Sequence, residues 1–235
     1  MLPVAIVQHD VADGPSYFAT WLSAQGLDFE VFPMFDAGVL PADLSAFSGL
    51  CLLGGPMSAN DPLAYYPHLL ELVGEAVQNR TPVIGHCLGG QLLSRALGGT
   101  VQSSEHIEIG WSVPEPMHAQ AIDWFGAGPL QLFQWHGESF SIPAGATQLL
   151  KGRLCTNQAY VMDDIHLGMQ FHCEVDLPKL NCWLELGADE IRRSASPGVQ
   201  QSDAIRLSLE ADIARSQRIA DRIYTRWAKG LRRRT

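Results

Sequence analysis

The sequence predicts an α/β fold: an open, mostly parallel central sheet flanked by helices, with added mixed strands and a C-terminal helix. Three observations lead there. Through roughly the first hundred residues, apolar runs of strand length alternate with segments of helical period, the pattern of parallel strands joined by right-handed crossovers. The stretch "PVIGHCLGGQLL" passes from a buried strand straight into a helix across one glycine-flanked residue. The composition, 46% hydrophobic and 17% charged over 235 residues, supplies a sizeable core.

The elements follow in order. "PVAIVQH" reads as a first strand, and the segment from about Pro15 to Gln25 as a helix stopped by Gly26. "DFEVFPMF" and "GLCLLGG" read as the second and third strands. "YYPHLLELVGEAVQN" has apolar residues at helical spacing, "PVIGH" is a short buried strand, and "LGGQLLSRAL" is a helix closed by Gly98 and Gly99. From Thr100 the texture changes to "TVQSSEHIEIGWSVP", "LQLFQWH", "TQLLKG", "QAYVMDD" and "HLGMQFH", short strand-like runs broken by Gly, Pro and Asn. No helix signal interrupts them over roughly seventy residues, so mixed or antiparallel strands are expected, some extending the central sheet. Beyond Pro197, the residues Ile205, Leu209, Ile213, Ala220, Ile223, Trp227 and Leu231 recur mostly at intervals of three and four. They predict one long amphipathic helix, packed on the domain's own sheet or on a partner subunit. The expected organisation is a domain over 1–196 and a helical extension over 197–235.

Composition also excludes several classes. No run approaches the ~20 apolar residues of a membrane span. "MLPVAIVQHD" has no basic leader, so a cytoplasmic protein is expected rather than a secreted or membrane one. Cys51, Cys87, Cys155, Cys173 and Cys182 are odd in number, widely spaced and free of CxxC, a poor disulfide framework and a poor zinc site. The net charge is −9, with nine Lys and Arg against four Asp and Glu in residues 197–235 and an acidic body before them. Such a body gives no electrostatic reason to expect nucleic acid. The basic end, "RRRT", reads as the cation-rich C-terminus of a helix, where positive charge complements the dipole. Neither GxGxxG, nor a P-loop, nor HExxH is present, and no nucleotide cofactor or metal is expected.

The chemistry centres on Cys87. A residue on a sharp strand-to-helix turn needs small neighbours, and Gly85, Gly89 and Gly90 provide them. The turn lifts the thiol above the edge of the sheet, where open α/β folds bind ligands. It also sets the sulfur at a helix N-terminus, which favours the thiolate. The N–H of Leu88 then points toward an oxygen developing on a substrate. A cysteine nucleophile requires a base, and the base an orienting group. In "MQFHCEV", read as a strand, His172 and Glu174 project from one face, so the carboxylate can fix the imidazole while its other nitrogen faces Cys87. "CLLGGPM" ends a strand in Gly54 and Gly55, bare enough for a backbone N–H to approach a ligand.

The set "LLGGP", "GHCLGGQ", "FQWHGESF" and "MQFHCE", in that order, resembles a class I (triad-type) glutamine amidotransferase domain, most of all the free-standing members related to the glutaminase domain of GMP synthase. The resemblance covers about residues 1–190. It implies a flavodoxin-like fold and L-glutamine as amide donor, hydrolysed through a γ-glutamyl thioester with release of ammonia. Carried over by position, Cys87 is the nucleophile, His172 the general base and then acid, and Glu174 its orienting carboxylate. The N–H groups of Gly55 and Leu88 form the oxyanion hole. Gln91 contacts the glutamine, beside Gly54, and the backbone around His136, Gly137 and Glu138 holds its amino-acid end. His136 is a rival base, placed second to His172. Where the family usually has proline between the catalytic His and Glu, this chain has Cys173, expected to point away from the site and pack.

Four classes of function compete. A glutaminase would either pass its ammonia to a separate synthase subunit or work without an acceptor. A stand-alone γ-glutamyl peptidase would share the same acyl-enzyme and differ only in the room around the leaving group. An α/β-hydrolase places its acid before its histidine, the reverse of the order here. A non-catalytic binding subunit would not be expected to keep Cys87, His172 and Glu174 together. The oligomeric state is not fixed by sequence.

Overall fold

The structure, a computed structural model, describes residues 1–232. Its elements in chain order are β1 (Val4–Gln8), α1 (Ser16–Ala24), β2 (Phe29–Pro33), β3 (Gly49–Leu52), α2 (Tyr66–Gln78), β4 (Val83–His86), α3 (Leu88–Ala96), β5 (Val101–Ser112), β6 (Glu115–Pro116) and α4 (Gln120–Phe125). Then follow β7 (Leu132–Phe140), β8 (Thr147–Lys151), β9 (Ala159–Met162), β10 (His166–Met169), α5 (Leu177–Leu186), α6 (Ala188–Arg193), β11 (Gly198–Val199), α7 (Ser202–Arg206) and α8 (Leu209–Ala228).

The main sheet has the order β2-β1-β3-β4-β10-β9-β8-β6. Pairing is parallel from β2 across to β10 and antiparallel beyond it. The short apolar runs of β1, β3 and β4 are buried along their whole length, as central strands covered on both faces must be. Side chains alternate between the faces. Val4 and Ile6 enter one core with α1, α4 and α8, while Ala5 and Val7 enter another with α2 and α3. β5 and β7 pair antiparallel in a separate three-stranded sheet completed by β11. Together with α5 it encloses a third cluster around Phe133, Trp183 and Ile205.

The expected mixed strands are present, and three of them, β10, β9 and β8, extend the central sheet, with the two-residue β6 added at its edge. Three expectations differ from what is found. The helix-free stretch contains α4, whose Trp124 and Phe125 are buried; with only six residues it is too short for its period to register. The strand expected through His172 ends at Met169, and His172 is held instead by an isolated bridge in which its N–H donates to the Phe133 carbonyl at 2.8 Å. The C-terminal helix is two helices. It breaks at exposed Leu207 and at Ser208, whose hydroxyl donates to the carboxylate of Asp212 in the first turn of α8.

The apolar stripe of α8 packs on the chain itself: Ile219, Ile223, Tyr224 and Trp227 share the core of Val4 and Ile6. Burying side chains of this size contributes roughly 1.5–3 kcal/mol each. Among the described residues no helix is long and apolar enough to cross a membrane. The basic end at 233–235 lies outside the described residues.

Candidate active site

β4 ends at His86, and Leu88 already begins α3. Cys87 between them takes φ 48° and ψ −108°, a backbone state that costs a non-glycine residue on the order of 1–3 kcal/mol. The surrounding glycines explain how the corner is made. A Cβ on Gly85 would lie 2.4 Å from the carbonyl of Gly89, one on Gly89 2.1 Å from the Leu52 oxygen, and one on Gly90 2.4 Å from the Met169 oxygen. The first turn of α3 therefore rests directly on the backbones of β3, β4 and β10, and no side chain fits between. The Cys87 thiol lies 3.7 Å from the Trp135 carbonyl and receives the Gln170 side-chain N–H at 3.6 Å.

His172 and Glu174 meet as their spacing implies: His172 Nδ1 lies 2.7 Å from Glu174 Oε1, both groups buried. Burial alone would lower the imidazole pKa, but the Glu174 carboxylate and the neighbouring Cys87 sulfur outweigh it and hold His172 above its ordinary value. Glu174 likewise resists the upward push of burial, because His172 and Lys179 hold it below the usual carboxylate range. The Trp183 ring stands edge-on to the imidazole, centroids 4.8 Å apart. Gly54 packs against the imidazole as well, where an added Cβ would come within 2.8 Å of His172 Cε1. The imidazole is thus held among Glu174, Trp183 and Gly54.

Lys179 is the part of this arrangement that the sequence did not disclose. Asp176 caps α5 by accepting the Lys179 N–H at 2.9 Å, and Pro178 sits in the first turn, which fixes where the helix starts and turns Lys179 inward. Its ammonium lies 3.3 Å from Glu174 Oε1, donates to the Gly14 carbonyl at 2.8 Å, and stands 4.9 Å from the Trp183 ring centroid. The Asp–x–Pro start of a helix just after "HCEV" is the signal that could have found it. Cys173, in contrast, points away from the site as expected, into the main core with its sulfur 3.5 Å from the Tyr224 hydroxyl.

These groups open into a pocket of about 590 Å³ whose wall includes Cys87, His172, Gly55, Leu88, Gln91, His136, Gly137 and Glu138. Gly54 sits behind that wall, against His172. The Gln91 amide donates to the Glu138 carbonyl at 3.2 Å and reaches Gln170 Oε1 at 3.4 Å, which ties it to the cysteine's own partner. His136, the rival base, does have a glutamate two residues on. The Glu138 carboxylate, however, accepts the Ser58 hydroxyl at 2.8 and 3.0 Å. The carboxylate beside His136 is Glu108, at 3.3 Å from Nε2, on the side of β5. Sequence reading passed over Gln170, Ser58, Asp10, Asp13, Trp183 and Glu190, which surround the same site from four separate segments.

Among the described residues two groups have metal-ligand chemistry: His86 with Cys173 and Glu174, and Glu108 with His136 and Cys155. The first has its donors engaged with Tyr224, His172 and Lys179, and the ammonium beside it would repel a cation. In the second, Glu108 accepts the Gln158 amide and Cys155 donates to Ser139.

The glutamine amidotransferase class-I family matches this chain over residues 19–181. A crystal structure of a glutamine amidotransferase from Methylobacillus flagellatus superposes with a TM-score of 0.97 at 43% identity, covering 100% of this chain and 97% of that one. The glutamine amidotransferase-like protein YfeJ of Salmonella typhimurium is 29% identical over 73% of this chain and 75% of its own length. The glutamine-hydrolysing GMP synthase of Lactobacillus johnsonii is 30% identical over 70% of this chain, and the match spans only 32% of that protein.

Proposed function

Because the chain belongs to the class-I glutamine amidotransferase family, we propose that it hydrolyses the side-chain amide of L-glutamine through a cysteinyl thioester and releases ammonia. The observation that carries this reading is a cysteine on a strained strand-to-helix corner that shares one pocket with a histidine held 2.7 Å from a buried glutamate. Cys87 attacks the amide carbon while His172 takes the thiol proton. Collapse of the tetrahedral intermediate breaks the C–N bond, and His172 returns the proton to the departing nitrogen. Water, deprotonated by His172, then releases glutamate. Glu174 holds the imidazole in orientation and stabilises its charged form.

Gly55 and Leu88 are assigned the oxyanion hole. They face each other closely, since a Cβ on Gly55 would lie 3.0 Å from Leu88 Cδ2, and the Leu88 N–H is in the first turn of α3 and has no partner within its helix. One such donor is worth roughly 10²–10³ in rate. Gln91, His136, Gly137 and Glu138 form the end that takes the amino-acid part of glutamine. Gly54 is assigned a place at the imidazole rather than at the substrate. Residues 1–196 are assigned this chemistry, and the described part of the extension, 197–232, is assigned a supporting, packing role. The GMP synthase relatives favour a separate synthase as recipient of the ammonia, and the five free cysteines favour a reducing, cytoplasmic setting.

The test is release of ammonia and glutamate from L-glutamine by wild type and Cys87→Ala, with covalent labelling by a glutamine-like diazo-ketone. Ammonia that depends on Cys87, and labelling of Cys87 that slows in His172→Ala, are expected. Equal labelling of all five cysteines would overturn the assignment.

A further inference from the structure

Around His172 the pocket wall is acidic and aromatic, a character that the ammonia leaving from glutamine does not call for. In any hydrolysis through Cys87, the leaving nitrogen must face the group that protonates it, so the His172 side of the pocket is the leaving-group side. Trp183 stands against the imidazole there, and Asp10, Asp13, Trp135 and Glu190 line the same pocket. Asp13 is 7% exposed, and its Oδ1 has no hydrogen-bond partner among the described residues. That oxygen lies near the imidazole: the position of a Cβ on Gly54 is 2.8 Å from His172 Cε1 and 3.6 Å from Asp13 Oδ1. Lys179 Nζ lies 3.9 Å away, but it is committed to Gly14, Glu174 and one face of Trp183 and stands outside the pocket wall. Farther out, Trp135 and Trp183 meet edge to face with centroids 6.0 Å apart, and Glu190 accepts the Trp135 indole N–H at 3.1 Å.

Two indole rings backed by three carboxylates, with no Lys or Arg among the lining residues, make a surface for a cationic group. Ammonia leaving from glutamine would use none of it. We propose that the preferred substrate is a γ-glutamyl amide whose leaving amine carries a second, protonated amino group, as in a monoacylated diamine. This deepens the reading above and rests on it. The reaction balances as before: the amide C–N bond breaks as the thioester forms, the His172 proton passes to the leaving nitrogen, and water returns the thiol and frees glutamate. The distal ammonium takes no part in bond making. It sits between the tryptophans and the carboxylates, where a neutral chain gains only apolar contact and an anionic one is repelled.

The experiment uses the full chain and four substrates: L-glutamine and the γ-glutamyl derivatives of ethylamine, ethylenediamine and glycine. The last three are close in size and differ in the charge of the leaving group. The ethylenediamine derivative is expected to exceed the ethylamide in kcat/KM by about tenfold or more and the glycine derivative by a larger factor. The advantage over the ethylamide should shrink severalfold in Glu190→Gln, which can still accept from Trp135, and in Asp10→Asn. It should also fall as salt is raised. Equal rates for the three derivatives, preference for the glycine one, or cleavage of glutamine alone would overturn the proposal and leave the glutaminase reading standing. Absence of any Cys87-dependent hydrolysis, glutamine included, would remove the reading on which it rests.

Discussion

Replacing Gly54 with alanine adds one methyl group and removes nothing, yet it should disable catalysis. The new carbon would lie 2.8 Å from His172 Cε1, where ordinary contact begins at 3.4 Å, so one of the two must recede by about half an ångström. The imidazole cannot turn aside cheaply. Its Nδ1 is held at 2.7 Å by Glu174, and the Trp183 ring packs against it at 4.8 Å between centroids. A misplacement of ~1 Å at a reacting group costs about a hundredfold in rate, so a loss of roughly ten- to a hundredfold in kcat is expected. KM should change little, because Gly54 sits behind the pocket wall. Overpacking of this kind destabilises by about 1–3 kcal/mol, readable as a lowered Tm. The control is Gly74→Ala in α2: apart from its own helical backbone and chain neighbours, no described atom lies within 4 Å of its added Cβ, and the helix should gain roughly 0.5–1 kcal/mol with no effect on rate. Ammonia release and the rate of Cys87 alkylation are measured for all three proteins. Wild-type rates and Tm in Gly54→Ala would refute the clamped histidine.

Lys179→Met removes the ammonium 3.3 Å from Glu174. At an effective dielectric of about 20 that contact is worth about 5 kcal/mol before desolvation, and breaking a buried pair commonly costs ~3–5 kcal/mol. Glu174 would then protonate more readily, so the acid limb of the kcat/KM profile should move to higher pH; a profile unchanged in shape would show that Lys179 is packing alone. Stability should also respond to acid. Burial holds His9 at about 3 and His86 at about 4, below their ordinary value, the second with its ring between Cys51 and the Tyr224 hydroxyl. Between pH ~6.5 and ~4 the unfolded chain therefore binds protons that the folded chain refuses. Stability falls as pH drops through that window, by up to ~1.4 kcal/mol per pH unit for each withheld proton. His172, raised rather than lowered, works the other way: its contribution is complete below its ordinary value and is lost only as pH rises through its elevated one. Denaturant midpoints at several pH values between ~7 and ~4 would test this, and a flat series would contradict the burial of these rings.

Much of the site was legible because its signals are local. The corner at Cys87 is written in glycines whose absent side chains let α3 touch three strands, and the His172–Glu174 pair in a two-residue spacing. That spacing survived although the reason given for it did not, since β10 stops at Met169 and a single bridge to Phe133 sets the orientation of His172. What escaped is what arrives from elsewhere in the chain. Lys179 reaches Glu174 from a helix whose start depends on Asp176, and Asp13 reaches the imidazole from the loop after β1. The parallel strands were readable as buried apolar runs, whereas α4 is too short to show a period and the break at Leu207 and Ser208 interrupts a periodicity that runs on across it.

The sharing of one core by β1 and α8 bears on how the chain comes into being. Val4 and Ile6 are made about 220 residues before Ile223 and Trp227, which share their core. At ~5–20 residues per second, translation leaves the part of that face that α8 covers open for on the order of 10–40 s, even with α1 and α4 already made. Contacts so distant along the chain also close slowly once both ends exist. The same helix that completes the interior therefore sets a long interval in which part of an apolar sheet face is open to chaperones or to other nascent chains, and the protein's yield in a cell is tied to how that interval is guarded.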